Sequence, residues 1–275
     1  MKKGLGALVA VAVLLTGAYA YFYEVAPFPE PWNEALLGLI LTLAAALGAG
    51  AMSLVARQFD PDEPAGHVWR AFAWGLWAWA LAELIWTAYP VWLEEFPVLS
   101  LADVFWMAGY VGLATALIRQ HRLVYGPQSN WGWRSAALVV VGVLGVSSLL
   151  TALALALGLG SDEGVLAVFL NVFYPLGDLA LAVAAWHTAR LFRGGRWARP
   201  WLALLGFVVA DALYTWLILT GIYSFEGNLL SLVADLVYLN AYMLLALVVY
   251  SHLMLIHQGI RADNLTGQGW RAEEV

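Results

Sequence analysis

The sequence predicts an all-α membrane helix bundle with eight transmembrane spans, and three observations carry that prediction. The chain is 63% hydrophobic and only 12% charged, with a mean hydropathy of +0.76. That is more apolar surface than a soluble domain can cover. The apolar residues gather into eight stretches, at 4–23, 33–55, 68–89, 100–118, 135–158, 164–189, 200–222 and 228–255. Each is close to the roughly 20 residues that a bilayer-crossing helix requires. Finally, all thirteen Lys and Arg residues fall in alternate connections or at span ends facing them.

Lys2 and Lys3 precede span 1, and Arg57 and Arg70 bracket the 2–3 connection. Arg119, Arg122 and Arg134 flank the 4–5 connection, Arg190, Arg193, Arg196 and Arg199 the 6–7 connection, and Arg261 and Arg271 lie in the tail. The other connections carry acids only: Glu24, Glu30, Glu34, Glu94, Glu95, Asp162, Glu163 and Glu226. The positive-inside rule then places both termini in the cytoplasm of a multi-pass protein of a bacterial inner membrane. One transmembrane domain over 1–258 and a cytoplasmic tail over 259–275 follow. With no cysteine there is no disulfide framework, thiolate metal site or Cys nucleophile.

Span 1 also reads as a signal peptide, with two lysines, an apolar run and Ala18-Tyr19-Ala20 as a cleavage site. Tyr21, Phe22 and Tyr23 continue the apolar run, and this favours a retained helix; cleavage would leave seven spans. Span 2 carries Ala44-Ala45-Ala46 and Gly48-Ala49-Gly50, small residues that invite close helix packing. Asp60-Pro61-Asp62-Glu63-Pro64 is a turn that stops it. Span 3 is rich in tryptophan, and Trp79, Glu83 and Trp86 follow the i, i+4, i+7 spacing of one helical face. A turn with Pro90 and Pro97 leads to span 4, where Ser100 and Asp103 have the spacing of a helix cap. Span 5 reads as scaffold, with Ser147, Ser148 and Thr151 among Val, Leu and Ala. Span 6 sets Asn171, Tyr174 and Asp178 on one face, with Pro175 and Gly177 between them. A proline inside a membrane helix removes a backbone donor and favours a kink, which can open a polar pocket. Spans 7 and 8 carry Asp211 and Asp235.

One five-residue word recurs: alanine, an acid, two apolar residues, then Trp or Tyr. Its copies begin at Ala82, Ala102, Ala210 and Ala234. They place Glu83 with Trp86, Asp103 with Trp106, Asp211 with Tyr214 and Asp235 with Tyr238. An ionisable group inside a membrane span is costly and marks a candidate functional site. For Asp103 the capping role stands beside the ligand role. Spans 3–4 and 7–8 each hold two copies, which suggests a parallel duplication of a four-helix unit with halves at 1–130 and 131–258. Serial duplication of hairpins is the competing description.

These residues resemble a multi-helix membrane sensor module found at the N-terminus of many bacterial diguanylate cyclases and histidine kinases. Its pattern is carried by Trp69 to Tyr89, Pro97 to Tyr110, Tyr174 to Asp178 and Arg199 to Tyr242. The resemblance covers most of 66–252 and implies a sensing bundle. No cyclase or kinase domain follows span 8, so the expectation is an output supplied by a separate cytoplasmic signalling protein.

The chemistry is open between three states. The acids are held protonated, or accept hydrogen bonds from Trp, Tyr, Ser or Asn, or hold a cation in a cage of carboxylate and aromatic faces. A retinal Schiff base is excluded within the bundle because the lysines are Lys2 and Lys3 alone. His67, His121, His187, His252 and His257 sit at the cytoplasmic span ends, which suits interfacial histidines better than haem ligands. No phosphate loop, zinc motif or nucleophile elbow occurs. No cofactor, metal, catalytic residue or nucleic-acid partner is expected.

The leading expectation is a sensor-like or ligand-binding protein with an outward-facing acidic–aromatic pocket. Membrane lipid surrounds it, and a small-molecule or cationic ligand fills it. Glu83, Asp178, Asp211 and Asp235 are the polar anchors, with Trp79, Trp86, Asn171, Tyr174, Tyr214 and Tyr238 around them. A transporter or ion/proton pathway using the same acids is the first alternative. The second is an intramembrane aspartate hydrolase of the lysoplasmalogenase type, weakly echoed by Gly177-Asp178-Leu179-Ala180-Leu181.

Overall fold

The computed structural model describes residues 2–93, 99–126, 133–159, 164–192, 195–224 and 227–266, with backbone alone for 2, 133–140 and 258–266. Glu94, Glu95, Pro97, Asp162, Glu163, Arg193, Glu226 and Arg271 lie outside the described residues. The elements are α1 Lys2–Val25, α2 Trp32–Ala56, α3 Pro64–Trp92, α4 Leu101–Tyr125, α5 Trp133–Ala156, α6 Val165–Leu191, α7 Arg199–Leu219 and α8 Leu229–Thr266. A single 3₁₀ turn, Arg196–Ala198, leads into α7.

Six of these helices, α1, α2, α4, α6, α7 and α8, are long and apolar enough to cross a membrane. The chain is a multi-pass membrane protein by length and composition. In lipid each backbone N–H and C=O must be satisfied within its own segment, which is why such stretches are helical. The described side chains of α5 give a shorter apolar helix, Val141–Ala156.

Helix ends depart from the hydropathy-based limits in informative ways. Helix α4 runs on through Arg119, Gln120, His121 and Arg122 to Tyr125, where Gly126 at φ +75° ends it. Helix α8 likewise continues past residue 255 to Thr266. Charge ends a hydropathy window but not a helix, whose backbone bonds continue into water. Helix α7 stops earlier than residue 222, because Gly221 takes φ +68°, a left-handed conformation that glycine adopts without steric cost. Helix α6 is one helix through Pro175.

The helices form a ring. Helix α2 packs on α3, α3 on α4, α4 on α6, α6 on α7, α7 on α8, and α8 back on α2. Helix α1 lies outside against α8 and α2, and α5 outside against α6. Small residues set the closest approaches. A Cβ on Gly112 would stand 2.5 Å from Gly75 Cα, and one on Gly75 would stand 2.9 Å from Leu113 N. On α2 Ala44, Ala45 and Ala49 are fully buried. A Cβ on Gly48 would lie 3.6 Å from the Tyr242 carbonyl.

The two ends of the ring differ in charge. The α1–α2 end carries Glu24, Glu30 and Glu34 and no Lys or Arg, whereas the α2–α3 end carries Arg57 and Arg70 beside Asp60, Asp62 and Glu63. At the basic end Arg119 donates to the His67 carbonyl at 3.1 Å, and the Arg70 guanidinium donates to the Pro61 carbonyl. Between the ends, the basic half of the ring is filled with aromatic side chains. Phe72 and Trp201 stack at 5.7 Å, and Trp69 and His252 meet at 5.0 Å.

Candidate functional site

In the acidic half, the helices leave a cavity of about 230 Å³. Its mouth is marked by Glu34 in the first turn of α2, Pro90 near the end of α3, Asp103 in the first turn of α4 and Leu219 ending α7. Its floor is Trp79, Tyr110, Asp211 and Tyr238.

Glu83 sits in mid-α3, buried at 5% exposure, and lines the cavity. Its Oε1 accepts from the Tyr238 hydroxyl and from the Tyr242 hydroxyl, each at 2.9 Å. The two hydroxyls are 2.8 Å apart, and Trp79 Nε1 donates to Tyr238 at 2.9 Å. The i, i+4 spacing that put Trp79 on the face of Glu83 therefore brings both to one network, joined through a tyrosine of α8. Phe207 seals it from beneath, 5.1 Å from Trp79 and 4.9 Å from Tyr242 between ring centroids.

Asp178 and Asp211 form a second centre. Both are buried, Asp178 at 1% exposure and Asp211 at 8%. Tyr110 of α4 hydrogen-bonds to Asp178 Oδ1, and its oxygen also lies 3.2 Å from Asp211 Oδ2. The two carboxyl groups are in hydrogen-bonding reach of one another, and among the described residues Asp178 Oδ2 has no N–H or O–H donor. A phenol has one proton to give. Three acidic groups thus share one phenolic proton, and two carboxyl oxygens in contact need a proton or a cation between them. Asp211 faces the cavity, while Asp178 stands behind it and is not part of the wall.

The remaining residues fall into two groups. Tyr174 donates to Asp103 Oδ1 at 2.6 Å, and Asn171 is at the rim. Trp86 faces Trp106 at 5.6 Å, and Tyr214 stacks on Tyr238 at 5.5 Å with rings 16° apart. All these line the cavity. Asp235 does not: it is fully buried behind the wall, accepting from the Tyr223 hydroxyl at 3.1 Å and 3.2 Å. Asp103 serves two purposes at once. Its Oδ2 accepts from Ser100 N at 2.8 Å in a capping box, while its Oδ1 holds Tyr174. Capping and cavity roles, separate readings in the sequence, belong to different oxygens of one side chain.

Reasoning from the sequence missed Tyr110, Tyr242, Tyr19 and Tyr223. A signal existed for two of them. Tyr110 and Tyr242 each stand seven residues after an acid of the repeated word, Asp103 and Asp235, on the same helical face as that acid. Tyr19 and Tyr223 carry no such signal, since one lies in α1 and the other in a connection. Both line the cavity. Tyr23 ties α1 to that connection, its hydroxyl 3.0 Å from the Ser224 and Asn228 carbonyls.

No protein-family model, curated protein or solved structure matches this chain.

Proposed function

We propose that this protein is a sensor-like membrane receptor that binds a small organic cation in the cavity from the outer side. One observation carries the reading. Among the described residues four carboxylates (Glu34, Glu83, Asp103, Asp211) and nine aromatic side chains line the cavity, and no Lys or Arg does. Carboxylates supply the charge, and Trp and Tyr faces replace the hydration shell of a weakly hydrated cation. The aromatic packing of Phe72, Phe207 and Trp201 below the floor favours binding over passage through the bundle.

Both termini are cytoplasmic in this reading, so the cavity opens outward. The support is the segregation of Lys and Arg to alternate connections, the intervening ones carrying acids and no Lys or Arg. Eight spans in two parallel halves complete it. Under a shift of four helices four kinds of packing pair map onto one another: α2–α3 onto α6–α7, α3–α4 onto α7–α8, α4–α6 onto α8–α2, and α1–α2 onto α5–α6, whereas the α1–α8 contact has no such counterpart between α5 and α4 among the described residues. Helix α1 is retained, held by Tyr19 in the cavity wall and by Tyr23. Helix α8 is the output element. Tyr238 and Tyr242 meet the ligand site through Glu83, and the same helix continues past the membrane to a separate signalling protein.

The test is titration of the purified protein with choline and with 3,3-dimethylbutan-1-ol, its uncharged isostere, followed by tryptophan fluorescence. Choline should quench or shift the emission saturably and the alcohol should not. Equal response to both, or to neither, sinks the reading.

The contact between Asp178 and Asp211 favours a second reading, an intramembrane aspartate hydrolase, since one protonated and one ionised carboxyl can act as acid and base. Vinyl-ether lysophospholipid in mixed micelles is the substrate to try. Absence of released aldehyde, or release undiminished in Asp211→Asn, removes it.

A further inference from the structure

The Asp178–Tyr110–Asp211 centre adds a property to the cation site, and this step rests on the binding reading above. We propose that the centre is a proton-exchange site: without ligand the two carboxyl groups hold one proton between them, and an organic cation entering the cavity expels it.

The argument starts from what surrounds the pair. On α4 the facing polar group is Tyr110, already engaged with both acids. On α6 Asp178 is preceded by Tyr174, which is committed to Asp103. From α3 Glu83, from α7 Tyr214 and from α8 Tyr238 and Tyr242 complete the electrostatic neighbourhood. Each of these is an acid or a phenol, and among the described residues packed here none carries positive charge. Helix α5, the other neighbour of α6, brings only Ser and Thr among its described polar side chains. Two negative charges in contact with no cation cannot persist in such a site. Among the described residues the second oxygen of Asp178 is buried without a donor, which leaves a place in the shared contact for a proton.

The cavity supplies the exchange. Asp211 is shared between the pair and the cavity floor. An alkylammonium ion seated on Asp211 and the Tyr and Trp faces provides the missing positive charge. One carboxylic O–H bond then breaks, its proton leaves through the cavity mouth to water, and the pair changes from one negative charge to two as one positive charge arrives. The net charge of the site is the same before and after. Asp178 never touches the ligand; it is the reserve acid that lets Asp211 be fully ionised only when a cation is present.

The experiment is calorimetric titration of the full chain in detergent with choline, at one pH, in phosphate and in Tris. These buffers differ in ionisation heat, so the difference in apparent binding enthalpy counts protons released. The expected count is close to one for the wild type and close to zero for Asp178→Asn, whose amide is the isostere of the protonated acid and which should still bind choline. Identical heats in the two buffers overturn the exchange while leaving cation binding intact. A count near one that survives in Asp178→Asn also overturns it. Absence of choline binding in the wild type overturns the binding reading and this inference with it. If Asp178→Asn does not fold, the wild type decides alone: choline affinity should rise about tenfold per pH unit while the pair holds its proton, as release of one proton requires, and a flat profile overturns the proposal.

Discussion

Tyr242 donates its hydroxyl to Glu83 across the middle of the bundle, at 2.9 Å. Tyr110 reaches Asp211 from the other side at 3.2 Å. In each case the tyrosine lies seven residues after an acid of the recurring word, and the acceptor is the acid of the word on another helix. Under the proposed shift of four, α3 maps onto α7 and α8 onto α4, so the α3–α8 pair maps onto the α7–α4 pair. These two hydrogen bonds are what the duplication proposed above expects of its halves. The two tyrosines differ in one respect: Tyr110 also serves Asp178, whereas Tyr242 shares Glu83 with Tyr238.

That difference predicts unequal costs for the same substitution. In Tyr242→Phe, Glu83 keeps Tyr238 as a donor, and the loss should be about 1 kcal/mol, the net worth of one hydrogen bond. In Tyr110→Phe the one phenolic proton shared by the buried Asp178 and Asp211 is lost, leaving the pair without it, and the loss should be about 2–3 kcal/mol, the range for a hydrogen bond to a charged group. Thermal unfolding of both variants in the same detergent orders them. Equal midpoints would show that Tyr110 is not the hub of the second centre.

Asp103 separates its two functions by substitution. Asp103→Asn keeps an oxygen for one partner at a time, and Asp103→Ala removes both the cap and the acceptor of Tyr174. A helix N-cap interaction contributes about 1 kcal/mol, and a phenol left without an acceptor adds a similar cost. The Ala variant should unfold first, with Asn between it and wild type. An Ala variant as stable as wild type would show that the capping box contributes nothing.

Much of this was legible in the sequence, for a physical reason. Spacing along one helix is fixed by the 3.6-residue turn, so Trp79 with Glu83 and Ser100 with Asp103 could be read directly. Hydropathy marks the bundle, because lipid exposure demands apolar side chains along a whole segment. What spacing does not encode is which helix faces which. Asp178 and Asp211 lie on different helices, and their meeting depends on α4 inserting Tyr110 between them. Tyr19 and Tyr223 reach the cavity only because α1 docks beside the α7–α8 connection. Asp235 shows the converse: its word matches that of Asp211, yet it points behind the wall to Tyr223 rather than into the cavity. The ends of α4 and α8 were set too short because the residues there become polar while the backbone stays helical.

The α3–α4 contact should be intolerant of a single methyl group. A Cβ at residue 112 would stand 2.5 Å from Gly75 Cα and 2.7 Å from Gly75 N, backbone atoms that cannot rotate away. Gly112→Ala must separate the helices, and overpacking of this kind costs about 1–3 kcal/mol. Gly145→Ala on α5 is the control, since nothing lies within 4 Å of its Cβ. It should match or slightly exceed wild-type stability, alanine being the better helix former. Similar losses in both would place the effect in the backbone rather than in the contact.

Gly177 offers a way to disturb the second centre without removing a polar atom. A Cβ there would meet Tyr110 Cε1 at 2.9 Å and Cδ1 at 3.2 Å. The ring is buried, 5.0 Å from Trp79 and 5.5 Å from Phe173 between centroids, so it has little room to yield. Gly177→Ala should therefore push the Tyr110 hydroxyl off the two carboxyl groups while leaving Asp178 and Asp211 chemically intact. The expected outcome is a drop in choline affinity of about tenfold or more, the consequence of misplacing one charged-group hydrogen bond. The proton count in the two-buffer titration should change with it. Gly206→Ala on α7, whose Cβ would meet nothing within 4 Å, should bind choline as wild type does. Wild-type affinity and proton count in Gly177→Ala would mean that the position of Tyr110 does not control the site, and that the carboxyl pair holds its proton without help from the phenol.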